Sequence, residues 1–488
     1  MDLKEKVYAL AKRRGFVFQS SEIYGGLANT WDFGPMGTLL KNNIRDLWVK
    51  TFVTDKDNMV MVDAASILRP EVWGASGHLA GFNEALIDCK VCKNRARADH
   101  LIENADLGIK VEGMSFAELE KIVNDNKIKC PKCAEFNWTP IRKFNQLVEV
   151  KLGVLEEGKN LAYLRGEIAQ GIFLNFKNVV DSTRVKVPFG IAQVGKAYRN
   201  EITMGQFVHR SFEFDLMEFE YFIAEPKKTS GVSLTDELDS GMSSSLTGNS
   251  ARKSGEDAIK EEDWEETFKK FSDEMWQFAL DLGLDEKKLR WREHEETERS
   301  HYSKKTADIE YEYPYGFKEM FGIAYRTNFD LTNHANNSGK DLSFIDPKTN
   351  EKYIPHVIEP TFGLSRLTGI ILFDAYTEDD GRTILKLNPK IAPYKVAVFP
   401  LLGNKQQLIE KAREVYSDLK KNFSVVWDDR GNIGKRYAAQ DEIGTPWCVT
   451  VDFDTEKDNS VTVRDRDTGG QVRIAIDKLQ EYFQNRLR

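Results

Sequence analysis

The sequence predicts an α+β protein that combines an antiparallel sheet with a C-terminal α/β domain, and two observations support this. Residues 191–198 and 213–222 carry alternating or continuous apolar side chains around a polar loop, which is typical of a hairpin in an antiparallel sheet. From residue 389 onward, apolar strands alternate with amphipathic helices, which is typical of a compact α/β domain. The stretch LNPKIAP at 387–393 is the expected boundary, so the predicted domains are 1–388 and 389–488.

The composition describes a globular protein with enough apolar material for several cores. Of its 488 residues, 41% are hydrophobic and 30% are charged, and this length suggests two to four domains at roughly 100–200 residues each. No apolar run approaches the ~18 residues of a membrane span, and the charged N-terminal stretch lacks the apolar core of a secretory signal. We therefore expect an intracellular, cytoplasmic protein without a membrane partner. The net charge of −8 neither announces nor excludes a nucleic-acid partner, because phosphate binding needs only a local basic surface.

The elements before the hairpin follow from spacing and composition. Residues 1–22 are predicted to form a helix followed by extended chain, and the Gly-rich residues 23–37 a loop. Apolar residues recur at helical spacing over 38–53, and the apolar run 59–68 predicts a strand.

The hairpin is followed by a segment of different composition. Residues 226–262 are poor in aromatic residues and rich in Ser, Gly and charge, so they are predicted to be an exposed or disordered insertion. A helix is predicted over 263–282. Further strands are predicted over 305–331 and 353–359, and the second runs into a helix rich in Leu and Ile.

The five cysteines divide into a group of four and a single one. The four form two C-x-x-C pairs within residues 86–140, and a helix-forming insert makes their separation longer than the usual ~15–20 residues. Two such pairs in an intracellular chain predict a structural zinc ion. Four unrelated reduced thiols are the alternative, and disulfides fit the compartment less well. Cys448 lies in an apolar strand and is predicted to be a small buried side chain. The predicted zinc ligands are Cys89, Cys92, Cys130 and Cys133.

The hairpin carries charged and aromatic residues in KAYRNEITMGQFVHRSFEF, residues 196–214. Side chains two apart in a strand face the same way, so Arg199 and Glu201 are expected to project together. An arginine fork suits phosphate oxygens, and a carboxylate can accept a hydrogen bond from an exocyclic amine. With Arg210 and the ring of Phe214, the segment could therefore hold an adenine nucleotide. The alternative is a cross-strand ion pair beside a core phenylalanine. The chain has no P-loop and no GxGxxG fingerprint, so a nucleotide site must be built on the antiparallel sheet.

Three segments resemble, in the right order, the motifs of class II aminoacyl-tRNA synthetases. DFGPMGTLLKNNIRDLW, within residues 32–53, resembles motif 1. YRNE…RSFEF, within 191–222, resembles motif 2, and EPTFGLSR, within 354–376, resembles motif 3. Further stretches, among them WGASGHLAGF, YLRGEIAQGIFLNF and MEFEYF, are similar to the dimeric glycyl-tRNA synthetases. The matches run from residue 16 to near the C-terminus and leave out 226–262.

The resemblance implies an antiparallel catalytic sheet flanked by helices, with motif 1 at a homodimer interface. It implies that glycine reacts with ATP to form glycyl-adenylate and then passes to the 3′ end of tRNA(Gly). Arg199 would hold the α-phosphate and Glu201 the adenine amine. Glu319 matches the position of a Mg²⁺-binding carboxylate. Carried over by motif position, the ATP-binding residues are Arg199, Glu201, Arg210, Phe214 and Arg366.

The resemblance also implies an acidic glycine pocket. Glu167, Glu218 and Glu359 match the family's pocket, with Thr361 beside the last of them. Clustered carboxylates suit a free ammonium group, because an opposite charge within ~4–6 Å favours the charged form. They also crowd the α-carbon and would exclude larger side chains. Without the resemblance, a structural ion pair is an equally good interpretation of each glutamate.

The C-terminal domain resembles the anticodon-binding domain of several class II synthetases. Unpaired anticodon bases are read by stacking and by hydrogen bonds to their edges. The signal is too weak to assign a role to any of the candidates, which are Trp427, Arg430, Lys435 and Arg436.

The chain departs from the family's pattern at three positions. Phe212 stands where the family usually has an arginine, which bears on ATP or acceptor-end contacts. Thr361 replaces a serine, and Gly166 replaces a proline that fixes φ. The last two changes are expected to be tolerated.

Two other functions remain open at this point. A class II synthetase for another small amino acid is disfavoured by the three-glutamate pocket. A catalytically silent paralogue is expected to have lost Arg199, Glu201 or Arg366, and all three are present.

Overall fold

A computed structural model gives the fold of this chain. It describes residues 2–111, 114–153, 161–202, 207–225, 263–296, 298–300, 302–379 and 381–487. The predicted insertion at 226–262 and the tip of the hairpin loop at 203–206 lie outside the described residues.

A seven-stranded sheet forms the centre of the chain. In chain order its strands are β1 (Met59–Met61), β2 (Phe189–Tyr198), β3 (Glu213–Ile223), β4 (Leu289–Glu293), β5 (Lys305–Tyr313), β6 (Gly316–Thr327) and β7 (His356–Gly363). They lie in the order β4-β5-β6-β7-β3-β2-β1, and all neighbours are antiparallel except β1 and β2. The predicted hairpin is β2–β3, whose strands pair from Phe189↔Phe222 to Tyr198↔Glu213.

The two faces of β3 have different neighbours, because successive side chains of a strand point to opposite faces. Met217, Phe219 and Tyr221 join the main apolar cluster, which is completed by several helices. Phe222, on the other face, packs in a second cluster against other helices. The helices of the main cluster include Pro35–Val49, Trp264–Asp281 and Leu364–Ala375, and those of the second include Ala169–Ser182.

The helix predicted over 38–53 is confirmed by Pro35–Val49, which continues as a π-helical turn over Lys50–Thr54. Proline suits its first helical position because the N–H that proline lacks would have no helical partner there. Leu40, Ile44 and Trp48 are fully buried, as their spacing predicts.

Two of the strand predictions are wrong in detail. The run 59–68 forms not one strand but two, of which Ile67–Leu68 belongs to a small sheet with Leu161–Leu164 and Val148–Lys151. The run 305–331 contains a hairpin that ends at Thr327 and then a helix, Phe329–Ser338. Short apolar runs do not distinguish helix from strand, which explains these errors.

The cysteine pairs lie in a module with its own apolar cluster. A three-stranded sheet in the order Arg95–Arg97, Asn83–Asp88, Arg142–Asn145 carries two helices, Ala98–Glu103 and Phe116–Asp125.

The C-terminal part contains a five-stranded mixed sheet in the order β9-β8-β10-β11-β12, with a separate apolar cluster. The first two pairs are parallel, as α/β connections require, and the last two pairs are antiparallel. The predicted alternation of strands and helices from residue 389 onward is present, and it includes the helix Ile433–Ile443. The strands are β8 (Val396–Pro400), β9 (Val425–Trp427), β10 (Trp447–Val451), β11 (Ser460–Asp465) and β12 (Gln471–Ala475), and the other helices are Gln406–Leu419 and Leu479–Leu487.

No helix in the described part of the chain is long and apolar enough to cross a membrane.

Short elements complete the fold. The remaining helices are Leu3–Arg13, Pro70–Ala75, His78–Gly81 and Thr455–Asp458, with 3-10 turns at Glu22–Tyr24, Phe207–His209, Glu286–Lys288 and Ile476–Lys478. The remaining strands pair as Val17–Gln19 with Trp31–Phe33, Phe344–Ile345 with Lys352–Tyr353, and Tyr376–Asp379 with Arg382–Leu385.

Candidate active site

The predicted site residues meet on one face of the central sheet. Phe214 and Glu218 have even numbers on β3 and so lie opposite the face that joins the main core. The register of β3 against β7 puts Glu218 beside Thr361, and the helix after β7 brings Arg366 to the same place. Two adjoining cavities open there, and Arg199, Glu218, Glu319 and Thr361 line both.

The first cavity, of about 300 Å³, contains the arginines. Arg199 donates from Nε to the carbonyl oxygen of Gly166 at 2.9 Å, and its guanidinium lies 5.2–5.3 Å from the ring centroids of Phe82 and Phe214. All the predicted ATP residues line this cavity, namely Arg199, Glu201, Arg210, Phe214 and Arg366.

Arg199 and Glu201 share the cavity for a reason that differs from the prediction. Strand β2 ends at Tyr198, so the alternation of a strand does not apply to them. Instead the backbone N–H of Glu201 turns back to the carbonyl of Arg199 at 2.9 Å. The Glu201 carboxylate lies 3.6 Å from Arg210, and its Oε2 is buried without a hydrogen-bond partner among the described residues. A buried acceptor that lacks a donor is suited to an incoming amine.

Arg366 and Glu319 form an ion pair between the two cavities. The Arg366 Nη1 lies 2.9 Å from Oε1 of Glu319 and donates to its carbonyl oxygen at 3.0 Å. The arginine charge lowers the pKa of Glu319. Burial would lower the pKa of Arg366, but the carboxylate raises it, so both groups are charged. About half of the Glu319 side chain is exposed, at 51%, which leaves it accessible to a cation.

The second cavity, of about 520 Å³, contains the carboxylates. Glu167 lies just before the helix Ala169–Ser182 and is 8% exposed. It is 3.1 Å from Nε2 of His78 and accepts a hydrogen bond from Gln170 at 2.8 Å. Burial alone would raise the pKa of Glu167, but His78, Arg326 and Gln170 together hold it well below its usual range.

Glu218 and Glu359 share this cavity but differ in their partners. Both oxygens of Glu359 lie 2.9 Å from Nη1 of Arg326. Oε2 of Glu218 is buried and has no hydrogen-bond partner in the described part of the chain. Burial raises the pKa of Glu218 well above its usual range, and the charges of Glu359 and Glu167 raise it further. Glu359 and Glu167 therefore form structural ion pairs, which was the alternative interpretation of these glutamates, whereas Glu218 does not.

Arg326 is a central residue that the sequence analysis missed. It is 1% exposed, donates from Nε to Asp330 at 2.8 Å, and its guanidinium carbon lies 3.8 Å from the ring centroid of Tyr302. No motif marks it, because its carboxylate partners come from other parts of the chain. Its bond to Asp330 has no helical-spacing signal either, because Arg326 lies in strand β6 and Asp330 in the helix that follows.

Phe212, where the family usually has an arginine, does not line either cavity of the site. It lines a third cavity of about 680 Å³ between the hairpin loop and the cysteine module. Arg95, Arg97 and Lys132 line the same space. The substitution therefore changes this neighbouring cavity rather than the one that contains Arg210.

The four cysteines of the two pairs come together. The Sγ atoms of Cys89 and Cys133, and those of Cys92 and Cys130, are 3.6 Å apart, and all four lie within 4.8 Å of one another. A disulfide would need about 2.05 Å, whereas sulfurs at ~2.3 Å from a tetrahedral zinc are about 3.8 Å apart. The backbone N–H of Cys92 lowers the pKa of the Cys89 thiol to about 7. The cluster thus fits zinc, and Cys448 is buried and alone as predicted.

The anticodon candidates differ in exposure. Arg436 is 2% exposed and donates to the carbonyl of Gly431 at 3.0 Å, so it holds the domain together rather than facing a base. Arg430 is 91% exposed. Trp427 lies 3.7 Å below the guanidinium of Arg413.

Comparisons with known proteins agree with this geometry. Residues 395–486 match the family model of an anticodon binding domain. The chain is 47% identical to a protein of Clostridium acetobutylicum named glycine–tRNA ligase, over 99% of this chain and 98% of the relative. The chain belongs to the glycine–tRNA ligase family. A protein of the same name from Caldanaerobacter subterraneus subsp. tengcongensis is 46% identical over 99% of this chain and 98% of the relative. Another, from Bacillus thuringiensis subsp. konkukian, is 45% identical over 99% of each chain.

Family membership confirms two predictions made from the motifs. The class II resemblance is confirmed by relatives that match along nearly the whole chain. The α+β fold class is confirmed by the mostly antiparallel central sheet and by the anticodon-binding family model at the C-terminal end.

Proposed function

We propose that this chain is an ATP-dependent glycine–tRNA ligase that forms glycyl-adenylate and then transfers glycine to the 3′ end of tRNA(Gly). The observation that carries the proposal is the junction of the two cavities. Arginines line one cavity, buried carboxylates line the other, and Arg199 and Glu218 line both. A phosphate and an ammonium group could therefore lie within reach of each other, as adenylate formation requires.

ATP occupies the arginine cavity in this proposal. Arg199 holds the α-phosphate, while Arg210 and Arg366 take the far end of the triphosphate. Phe214 stacks on adenine, and Oε2 of Glu201, which lacks a hydrogen-bond donor among the described residues, accepts from its amine. Glu319 is the residue that would hold the Mg²⁺ that accompanies ATP, and this ion would neutralise part of the phosphate charge.

Glycine occupies the carboxylate cavity. Glu218 is the principal partner for its ammonium group, because it has a buried oxygen without a donor. Glu167 and Glu359 are already held by His78 and Arg326 and so form the walls. Thr361, beside Glu218 across the strand pair, limits the space next to the α-carbon.

The reaction needs no dedicated general base. The glycine carboxylate attacks the α-phosphorus, and the bond to the leaving pyrophosphate breaks. Fixed cations stabilise the charge that develops on the phosphates without having to reorganise. The site contributes mainly by holding the two substrates in line.

Glycine-dependent ATP–pyrophosphate exchange tests this function, with glycine, alanine and serine compared side by side. We expect exchange with glycine and at least about 100-fold less with alanine, since the methyl group meets Thr361 and the surrounding carboxylates. Exchange with another amino acid would support the alternative synthetase. Exchange with none would support the silent paralogue.

We also propose that the four-cysteine cluster binds a structural zinc ion. The support is the Sγ spacing, which fits a tetrahedral site. Elemental analysis of the purified protein should give about one zinc per chain. Cys130→Ser should lose it, whereas Cys448→Ser, outside the cluster, should retain it. Absence of zinc from the unaltered protein would overturn the proposal.

A homodimer that acts in the cytoplasm completes the proposed function. Apolar side chains next to motif 1 support the dimer, since Ile23 and Tyr24 are each 88% exposed and Leu27 is 52% exposed. Light scattering should give twice the chain mass, and Tyr24→Arg should lower it. A monomer at micromolar concentration would contradict this part of the proposal.

A further inference from the structure

Glu220 is a buried carboxyl group that the proposed mechanism does not use. It follows Glu218 by two residues on the same face of β3, is 0% exposed, and lines neither cavity of the site. In the described part of the chain, neither of its carboxyl oxygens has a hydrogen-bond partner. A buried charge without a partner is costly, so the state of this group requires an explanation.

The carboxyl groups of three strand residues converge at this place. One oxygen from each of Glu218, Glu220 and Glu359 lies within 4.8 Å of the other two. The register of β3 against β7 puts Glu220 directly opposite Glu359, where like charges destabilise a sheet. Arg326 faces the group, but its nitrogens are bonded to Glu359 and Asp330.

The charges around the pair oppose its ionisation. Burial raises the pKa of Glu218 and of Glu220 well above the usual range, and the charge of Glu359 raises both further. The charge of Glu218 also raises the pKa of Glu220, as expected for coupled carboxyl groups. The other groups that face them are Glu167 and Asp330, which raise the pKa, and Arg326 and Arg199, which lower it.

We propose that the Glu218–Glu220 pair holds one proton before glycine binds, and that the ammonium group of glycine expels this proton. The inference rests on the proposed function, because it takes glycine as the ligand of Glu218. Two carboxylates this close ionise together only when a positive charge compensates them. The ammonium group supplies that charge, so one cation enters and one proton leaves to solvent, with no covalent bond formed or broken. Glu220 does not reach the cavity and acts as a positioning residue that sets the charge of Glu218.

Calorimetric titration of the full-length protein with glycine tests this inference. At about pH 7.5, titrations in two buffers of different ionisation enthalpy give the number of protons released. We expect about one proton per glycine, and an affinity that rises by up to tenfold per pH unit between about pH 6 and 8. Binding without proton release would overturn the inference and leave the proposed function intact. Absence of glycine binding would overturn both.

Matched variants locate the proton. Glu220→Gln keeps the side-chain size but cannot hold the proton, so release should fall below about one third of a proton and the pH dependence should flatten. Glu274→Gln is the control, because Glu274 lies on a helix outside the cavities, where it pairs with Lys56 at 2.7 Å. This variant should release as many protons per glycine as the unaltered protein. Unchanged release in Glu220→Gln would overturn the role of Glu220. The titration of the unaltered protein decides the main claim even if a variant folds poorly.

Discussion

The two ends of the site handle charge in opposite ways. At the proposed ATP end, the side chains of Arg366 and Arg210 are 24% and 30% exposed, and among the described residues each lies within 4 Å of one carboxylate. At the proposed glycine end, Arg326 is 1% exposed and is surrounded by carboxylates. The cations of the first end are accessible to a ligand, whereas that of the second is committed to the protein. An arginine in a synthetase site is thus not by itself a ligand-binding residue, and burial decides which task it has.

Replacement of Arg366 should have the largest effect on activity. Arg366→Ala removes a cation from the phosphate end, and loss of one stabilising donor costs about 10²–10³-fold in rate. We expect ATP–pyrophosphate exchange to fall by at least this factor, to near background, with little change in melting temperature. Arg69→Ala is the control, because the Arg69 side chain is 82% exposed and pairs with Glu71 outside the cavities. Near-normal exchange by Arg366→Ala would mean that motif 3 is misassigned.

Replacement of Arg326 should affect stability instead. Arg326→Met removes the cation from a buried network, which costs about 3–5 kcal/mol because the carboxylates lose their partner. Arg69→Met, which breaks an exposed pair with Glu71, should cost about 0–1 kcal/mol. Thermal and urea unfolding of both variants measure the difference. If the two variants lost the same free energy of unfolding, the buried arginine would contribute no more to stability than the exposed one, and this would contradict the prediction.

The pH dependence of stability should reflect the buried carboxyl group of Glu220. The pKa of Glu220 is raised in the folded protein. Below the unfolded pKa of about 4.3 the group is protonated in both the folded and the unfolded state, so its ionisation does not lower the stability there. As the pH rises further, the unfolded chain loses its proton first, and stability falls by up to about 1.4 kcal/mol per pH unit until the folded pKa is reached. Glu220→Gln should therefore gain stability relative to the unaltered protein between about pH 5 and 8. A constant difference in melting temperature across this range would contradict the account.

The sequence predicted the ATP end better than the glycine end. Arg199, Glu201, Arg210 and Phe214 lie within one hairpin, so local spacing brings them together. Even there, the reason was wrong for Arg199 and Glu201, because β2 ends one residue earlier and a turn replaces the strand.

The glycine end depends on contacts between distant segments. The partner of Glu167 is His78, and that of Glu359 is Arg326, and neither pair has a local sequence signal. Glu220 could have been noticed in MEFEYF as a second charged residue on a buried strand. Its lack of partners, however, follows only from the packing of β3 against β7.

The separation of the two ends is tested most directly by measuring KM for glycine and for ATP in Glu218→Gln and Arg210→Ala. A hydrogen bond to a charged group contributes about 1.5–3 kcal/mol, so Glu218→Gln should raise the glycine KM by roughly 10–100-fold and leave the ATP KM within about twofold. Arg210→Ala should do the reverse. If both constants moved together in both variants, the division into a phosphate end and an ammonium end would be contradicted.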